Sequence, residues 1–125
     1  MRLVGYARTR LLEQLGERDL EEQERGLAEF CAANNHELTH VVADTGEEND
    51  SLSEALDADA DGIVVIDPLV IAEDVGTAHD IAAELIKRKK HLFIVYRDKH
   101  IDPQNDDGQQ DLVDSCISLM DRKVS

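Results

Sequence analysis

Short apolar segments alternate along this chain with longer segments in which apolar residues recur at helical spacing. The short segments cover residues 3–6, 38–43, 62–66 and 91–96. In the last two, apolar residues follow one another without polar ones between them, which is typical of strands buried on both faces of a parallel sheet. The four segments therefore predict four β-strands.

The remaining periodic segments predict helices over about residues 20–34, 51–56, 73–89 and 108–123. Ser51 and Glu54 have the spacing of a capping box, so we expect Ser51 to cap the second helix. The apolar stripe of the third helix consists of Val75, Ala78, Ile81, Ala82, Leu85 and Ile86. We expect this stripe to pack on the sheet.

Strands and helices alternate, and parallel strands joined through helices require right-handed crossovers. The order therefore predicts an α/β fold with three layers (α/β/α) and a mostly parallel sheet of four to five strands. A chain of 125 residues is the size of one domain. We expect a single domain over residues 1–125, without a DNA-binding domain.

The chain carries a formal net charge of −15, which is its strongest global property. An acidic surface repels phosphate and slows association with nucleic acid, so we expect no direct DNA binding. The acidity serves either solubility in a salty cytoplasm or recognition of a basic partner. No run of about 18 apolar residues is present, so we expect no membrane segment and a cytoplasmic location.

The beginning of the chain carries a motif with chemical meaning. Residues 5–10, Gly-Tyr-Ala-Arg-Thr-Arg, resemble the Tyr-x-Arg-Val-Ser start of the serine recombinase (resolvase/invertase) catalytic domain. Asp44-Thr45-Gly46 resembles that family's Asp-x-x-Ser-Gly turn, shortened by one residue. Residues 61–69 resemble its third strand and the Leu-Asp-Arg-Leu-x-Arg motif that follows. The positions that match the family's site are Tyr6, Arg8, Arg10, Gln23, Asp67 and Arg122.

The resemblance implies a resolvase-like fold whose catalytic groups are missing. In that family a serine attacks a DNA phosphate while arginines hold the phosphate. Arg10 stands at the position of the serine, and a guanidinium that is always protonated cannot be a nucleophile. Pro68 and Ile71 stand where the family has arginines. We therefore expect these site positions to be vestigial and the chain not to be an enzyme.

The function expected from these observations is that of a regulatory module for protein–protein interaction or dimerisation. The surface expected to bind a partner is the apolar stripe of the last helix, named here the C-terminal stripe: Leu112, Val113, Cys116, Ile117 and Met120. The occupant would be a second copy of the chain or a protein with a basic surface. The alternative is a DNA recombination protein, either a site-specific recombinase or an accessory or dominant-negative subunit of one.

Three other classes of site fit the sequence less well. A receiver-like signalling domain would need acidic residues after the first strand to hold magnesium, where Arg8 stands instead. The histidines lack the spacing of a zinc site, and Cys31 and Cys116 are expected to be buried thiols. No glycine-rich phosphate loop follows the first strand. We therefore expect neither a metal nor a cofactor.

Overall fold

The computed structural model describes residues 1–9, 16–45, 50–66, 75–95 and 99–103. The helix predicted over residues 108–123 lies outside them. The described elements are β1 (Arg2–Thr9), α1 (Gly16–Ala33), β2 (Glu37–Thr45), α2 (Asp50–Asp57), β3 (Gly62–Val65), α3 (Val75–Arg88), β4 (His91–Ile94) and β5 (Lys99–Ile101). All the predicted strands and the first three predicted helices are therefore confirmed, with shifted ends.

The strands form one five-stranded sheet in the order β2-β1-β3-β4-β5. Neighbouring strands from β2 to β4 are parallel, whereas β5 runs antiparallel to β4 at the edge. The predicted α/β class with a mostly parallel sheet is thus confirmed. The fifth strand is only three residues long. Its sequence, Lys-His-Ile, is too short to give a periodic signal.

Helices cover the two faces of the sheet in separate clusters. On one face, residues of α2 and α3 such as Leu52 and Ile81 pack against Val4 and Ile63 of the sheet. On the other face, Leu27 and Cys31 of α1 pack with sheet residues that include Leu3, Val64 and Phe93. Since successive strand residues point to opposite faces, the uninterrupted apolar strands supply both clusters.

The predicted helix stripes are confirmed in part. Cys31 is 2% exposed, as expected for a structural thiol, and its burial raises the pKa of the thiol. In α3, Ile81, Ala82 and Leu85 are buried, but Ile86 is 38% exposed, so its predicted packing on the sheet is wrong. Ile86 lies one position beyond Leu85, where the helix has turned toward solvent.

Glycine allows close contact at the centre of the sheet. A Cβ atom at Gly5 would lie 3.0 Å from Leu27 Cδ1 and 3.0 Å from Val41 Cγ2. These contacts are tight but involve the ends of side chains. At Gly62, a Cβ atom would lie 2.4 Å from the backbone oxygen of His91 on the neighbouring strand. The β3–β4 pairing therefore depends on the absence of a side chain at Gly62.

We predict that Gly62→Ala destabilises the fold by about 2 to 3 kcal/mol or prevents folding, because the added methyl meets backbone that cannot rotate away. Gly26→Ala is the matched control. Its Cβ atom would lie 2.7 Å from Ile66 Cδ1, the flexible end of a side chain. A gain in helix propensity of about 1 kcal/mol offsets that clash. Urea unfolding measures both, and equal losses would contradict this account of Gly62.

Candidate functional site

The residues that match the recombinase motif lie at the carboxyl ends of β1 and β2. Tyr6 and Arg8 belong to β1, and Asp44 is the register partner of Arg8 on β2. Gln23 reaches this edge from α1. Within the described part of the chain, the structure thus brings three of the six predicted vestigial residues into one region.

The side chain of Gln23 forms hydrogen bonds with both backbone polar groups of Arg8. The amide N–H of Arg8 donates to Gln23 Oε1 at 3.1 Å, and Gln23 Nε2 donates to the Arg8 carbonyl at 3.0 Å. Both residues are 7% exposed. A buried backbone pair without partners would be costly, so the side chain of Gln23 takes the place of a neighbouring strand.

The open side of β1 explains why a side chain is needed there. The register of β1 with β2 runs from Arg2 to Thr9. With β3 it covers only Leu3, Val4 and Gly5. The second half of β1 therefore has one side without a described strand, and α1 supplies the hydrogen bonds at Arg8.

Asp44 links the end of β2 to β1 and to α2. Its Oδ2 accepts a hydrogen bond from the Tyr6 hydroxyl at 2.8 Å and one from the Ser51 backbone N–H at 3.1 Å. A carboxylate at the first turn of a helix satisfies an unpaired N–H and interacts favourably with the helix dipole. Asp44 thus caps α2 from the end of β2, seven positions before Ser51.

This contact corrects the predicted cap at Ser51. The helix begins at Asp50, so Ser51 lies within it and its backbone N–H is capped by Asp44. The capping-box pattern is a local signal and cannot register a carboxylate that arrives from a neighbouring strand. Sequence reasoning also did not single out Asp44 as a site residue, although the motif Asp44-Thr45-Gly46 contains it.

The described groups of this region are engaged in holding the fold together. Tyr6 is 0% exposed and Arg8 is 7% exposed, so neither offers much surface to a substrate. Asp44 is half-buried and accepts from two donors. Among the described residues, no group of three or more His, Cys, Asp or Glu side chains is placed to hold a metal ion. The same part of the chain contains no helix long and apolar enough to cross a membrane.

The other predicted site residues lie outside the described residues and stay predictions. They include the vestigial positions Arg10, Asp67 and Arg122, and the two positions expected to have lost arginines, Pro68 and Ile71. The whole C-terminal stripe, Leu112, Val113, Cys116, Ile117 and Met120, belongs to the same group.

Solved structures with a similar fold are catalytic domains of serine recombinases. The N-terminal catalytic domain of TP901-1 integrase superposes with a TM-score of 0.69 at 15% identity, covering 100% of this chain and 99% of that domain. A resolvase family site-specific recombinase from Streptococcus pneumoniae has a TM-score of 0.74 at 14% identity, covering 99% of this chain and 89% of the other. The C-terminal catalytic domain of ISC1926 TnpA, an IS607-like serine recombinase, has a TM-score of 0.66 at 20% identity, with coverage of 95% and 80%.

In sequence, no protein-family model matches the chain and no curated protein is detectably similar to it. The structural similarity extends over nearly all of the chain, whereas the identities stay low. The chain therefore has the fold of a serine recombinase catalytic domain, as its motifs predicted. At this level of identity the similarity describes the fold and leaves the activity to be argued separately.

We predict that Gln23→Leu lowers the free energy of unfolding by about 2 to 3 kcal/mol, because it leaves a buried backbone N–H and C=O without partners. Glu22→Leu is the control, since Glu22 is the exposed neighbour on α1. Urea unfolding followed by circular dichroism measures both variants. A Gln23→Leu protein as stable as the control would show that the amide has no structural role.

Proposed function

We propose that this chain is a catalytically inactive resolvase-like domain that acts as a regulatory module for protein–protein interaction or dimerisation. The observation that carries the proposal is Arg10, which stands at the position of the family's nucleophilic serine in a chain that keeps the fold. A guanidinium has no acceptor and is not deprotonated in proteins, so it cannot attack a phosphate. The remaining question is what the fold is used for.

The described site supports a structural use of the motif residues that remain. Gln23 is occupied by the backbone of Arg8, and Tyr6 donates to the carboxylate that caps α2. These hydrogen bonds stabilise the sheet whether or not a reaction takes place. The presence of Tyr6, Arg8 and Gln23 is therefore not an argument for catalysis.

Charge supports a partner other than DNA. With a net charge of −15 the chain repels phosphate at long range, and it attracts a basic protein surface for the same reason. The proposed contact is the C-terminal stripe. With a basic partner, an apolar centre surrounded by acidic groups would combine burial with charge complementarity. Between two copies of the chain, burial of the C-terminal stripe would have to outweigh the repulsion between their acidic groups.

The alternative function is that of a DNA recombination protein. What favours it is that the similar structures are recombinase catalytic domains. In this case the chain would be a site-specific recombinase or an accessory or dominant-negative subunit that pairs with an active one. The two proposals differ in whether the chain forms a covalent bond with DNA and in whether it binds DNA at all.

The test of catalysis is a search for a covalent protein–DNA adduct. The purified chain is incubated with a pool of randomised nicked duplexes and analysed on a denaturing gel and by intact mass. We expect no adduct from the wild type and none from Arg10→Ser, because the arginines expected to hold the phosphate are replaced by Pro68 and Ile71. An adduct formed by the wild type would establish the alternative.

The test of the interaction compares Leu112→Asp/Ile117→Asp with Ile86→Asp. The second variant places an acidic group at an exposed apolar residue of α3 and is the control for added charge. Sedimentation velocity measures self-association, and capture from the host with tagged protein measures partner binding. We expect the double variant to lose at least about tenfold in affinity, which corresponds to about 1.4 kcal/mol. Unchanged association by a folded double variant would exclude the C-terminal stripe.

A further inference from the structure

Two histidines, His36 and His100, pack on the ring of Phe93, and a third, His91, contacts His100. The ring of His100 stacks on Phe93 with a centroid separation of 4.2 Å and an angle of 4°. The ring of His36 lies 4.8 Å from Phe93 between centroids. His91 Nδ1 and His100 Nε2 are 2.8 Å apart. His36 is remote from the other two in sequence, whereas His91 and His100 are nine positions apart and meet because β5 runs back along β4.

The geometry of the His91–His100 pair is that of a hydrogen bond. The ring centroids are 5.0 Å apart, which is about the nitrogen–nitrogen distance of 2.8 Å plus the span from each nitrogen to its own ring centre. The two nitrogens therefore face each other along the line between the rings. Two ligands of one metal ion would instead converge on a point beside that line. One nitrogen must donate and the other accept, so the pair holds one proton between them.

A second proton would be unfavourable in these surroundings. It would remove the acceptor of the hydrogen bond and place two imidazolium rings in contact. Further positive charge comes from the turn before β2, where His36 Nδ1 lies 3.2 Å from the N-terminal ammonium of Met1. Among the described residues, Asp102, directly after β5, is the acidic group that acts on His100. The carboxylate of Asp102 is thus opposed by the N-terminal ammonium and by the neighbouring histidines, which become positive when protonated.

The pKa values of the cluster follow these contacts. Burial against neighbouring groups is the main cause that lowers the pKa of His100, and His91 and His36 lower it further while Asp102 raises it. The pKa of His36 is lowered by burial and by the N-terminal ammonium. His100 is exposed as a residue, so solvent screening limits the size of these effects.

The strand that carries His100 is three residues long and lies at the edge of the sheet. Strand β5 pairs with β4 at three positions, Leu92 with Ile101, Phe93 with His100, and Ile94 with Lys99. Ile101 is buried in the core, at 6% exposed, whereas His100 is exposed. The stack on Phe93 and the hydrogen bond to His91 are thus a large share of what holds so short an edge strand.

We propose that the His91–His100 pair makes β5 an acid-released edge strand. The strand is held on β4 while one of the two facing nitrogens, His91 Nδ1 or His100 Nε2, carries a proton and the other accepts it, and it is loosened when both of these nitrogens carry a proton. Release would expose the backbone edge of β4, where another strand can pair. The proposal concerns a site separate from the motif residues and does not depend on whether the chain is catalytic.

The direction of the pH effect follows from proton linkage. A histidine with a lowered folded pKa binds its proton less readily in the folded state than in the open one. The stabilisation of β5 is therefore fully present above the ordinary histidine pKa of about 6.5 and is lost as the pH falls below it. The informative comparison is between about pH 7.5 and about pH 5.5.

The test is amide hydrogen exchange measured by NMR, with rates corrected for the intrinsic effect of pH. We expect the protection of Lys99–Ile101 to fall about fivefold between about pH 7.5 and about pH 5.5, less than the tenfold of a full pKa unit because the ring is partly exposed. The amides of β1, at the centre of the sheet, are the internal reference and should keep their protection. Equal protection of β5 at both pH values would overturn the proposal.

Two variants separate the pair from general effects of histidine. His91→Gln keeps the stack of His100 on Phe93 and removes the second imidazole, so the pH ratio at β5 should shrink by half or more. His40→Gln is the matched control, because His40 lies on β2 at the opposite edge of the sheet. It should leave the ratio unchanged. If His91→Gln abolishes the protection of β5 at every pH, this variant no longer tests the pair. The titration of the His100 imidazole is then followed by NMR in the wild type, and a pKa at or above about 6.5 overturns the proposal.

Discussion

The backbone of β1 must be hydrogen-bonded on both sides, and this requirement shapes the region of the candidate site. Strand β2 follows β1 to Thr9, whereas the register with β3 ends at Gly5. Leaving a buried N–H and C=O open costs more than most single contacts return. The side chain of Gln23 fills the gap at Arg8, which fixes the position of α1 against the sheet and brings Leu27 onto Gly5.

The motif residues of this region contribute to stability independently of any reaction. Gln23 holds the end of β1, and Asp44 accepts from Tyr6 while it caps α2. Each of these residues would be retained for stability even if the reaction were lost, because removing it leaves a polar group unpaired. The likeness to the recombinase motif is therefore informative about fold, and the identity of Arg10 is the feature that bears on catalysis.

The sequence predicted those features whose signal lies within a short stretch of the chain. Uninterrupted apolar segments predicted β3 and β4 because burial on both faces leaves a strong pattern. The polar end of β1 up to Thr9 was missed because it is held by β2 and Gln23 and not by its own apolar residues. The cap of α2 comes from Asp44, seven positions before Ser51 and outside the capping-box pattern, so that pattern assigned the cap to Ser51. The Tyr6–Asp44 contact joins residues 38 positions apart and leaves no local signal. Similarly, His91 and His100 meet only because β5 turns back along β4.

Shape and charge constrain the partners of this chain independently. The sheet and helices superpose on recombinase catalytic domains over nearly the whole chain, with TM-scores between 0.66 and 0.74 for the three described above. The net charge of −15 is instead a property of the surface, which can change without altering the core. A partner that recognises the shape would have to tolerate this charge, and a partner that recognises the charge needs no particular fold. Of the two kinds of partner proposed, a basic protein matches this charge, whereas a second copy of the chain would have to bind against charge repulsion.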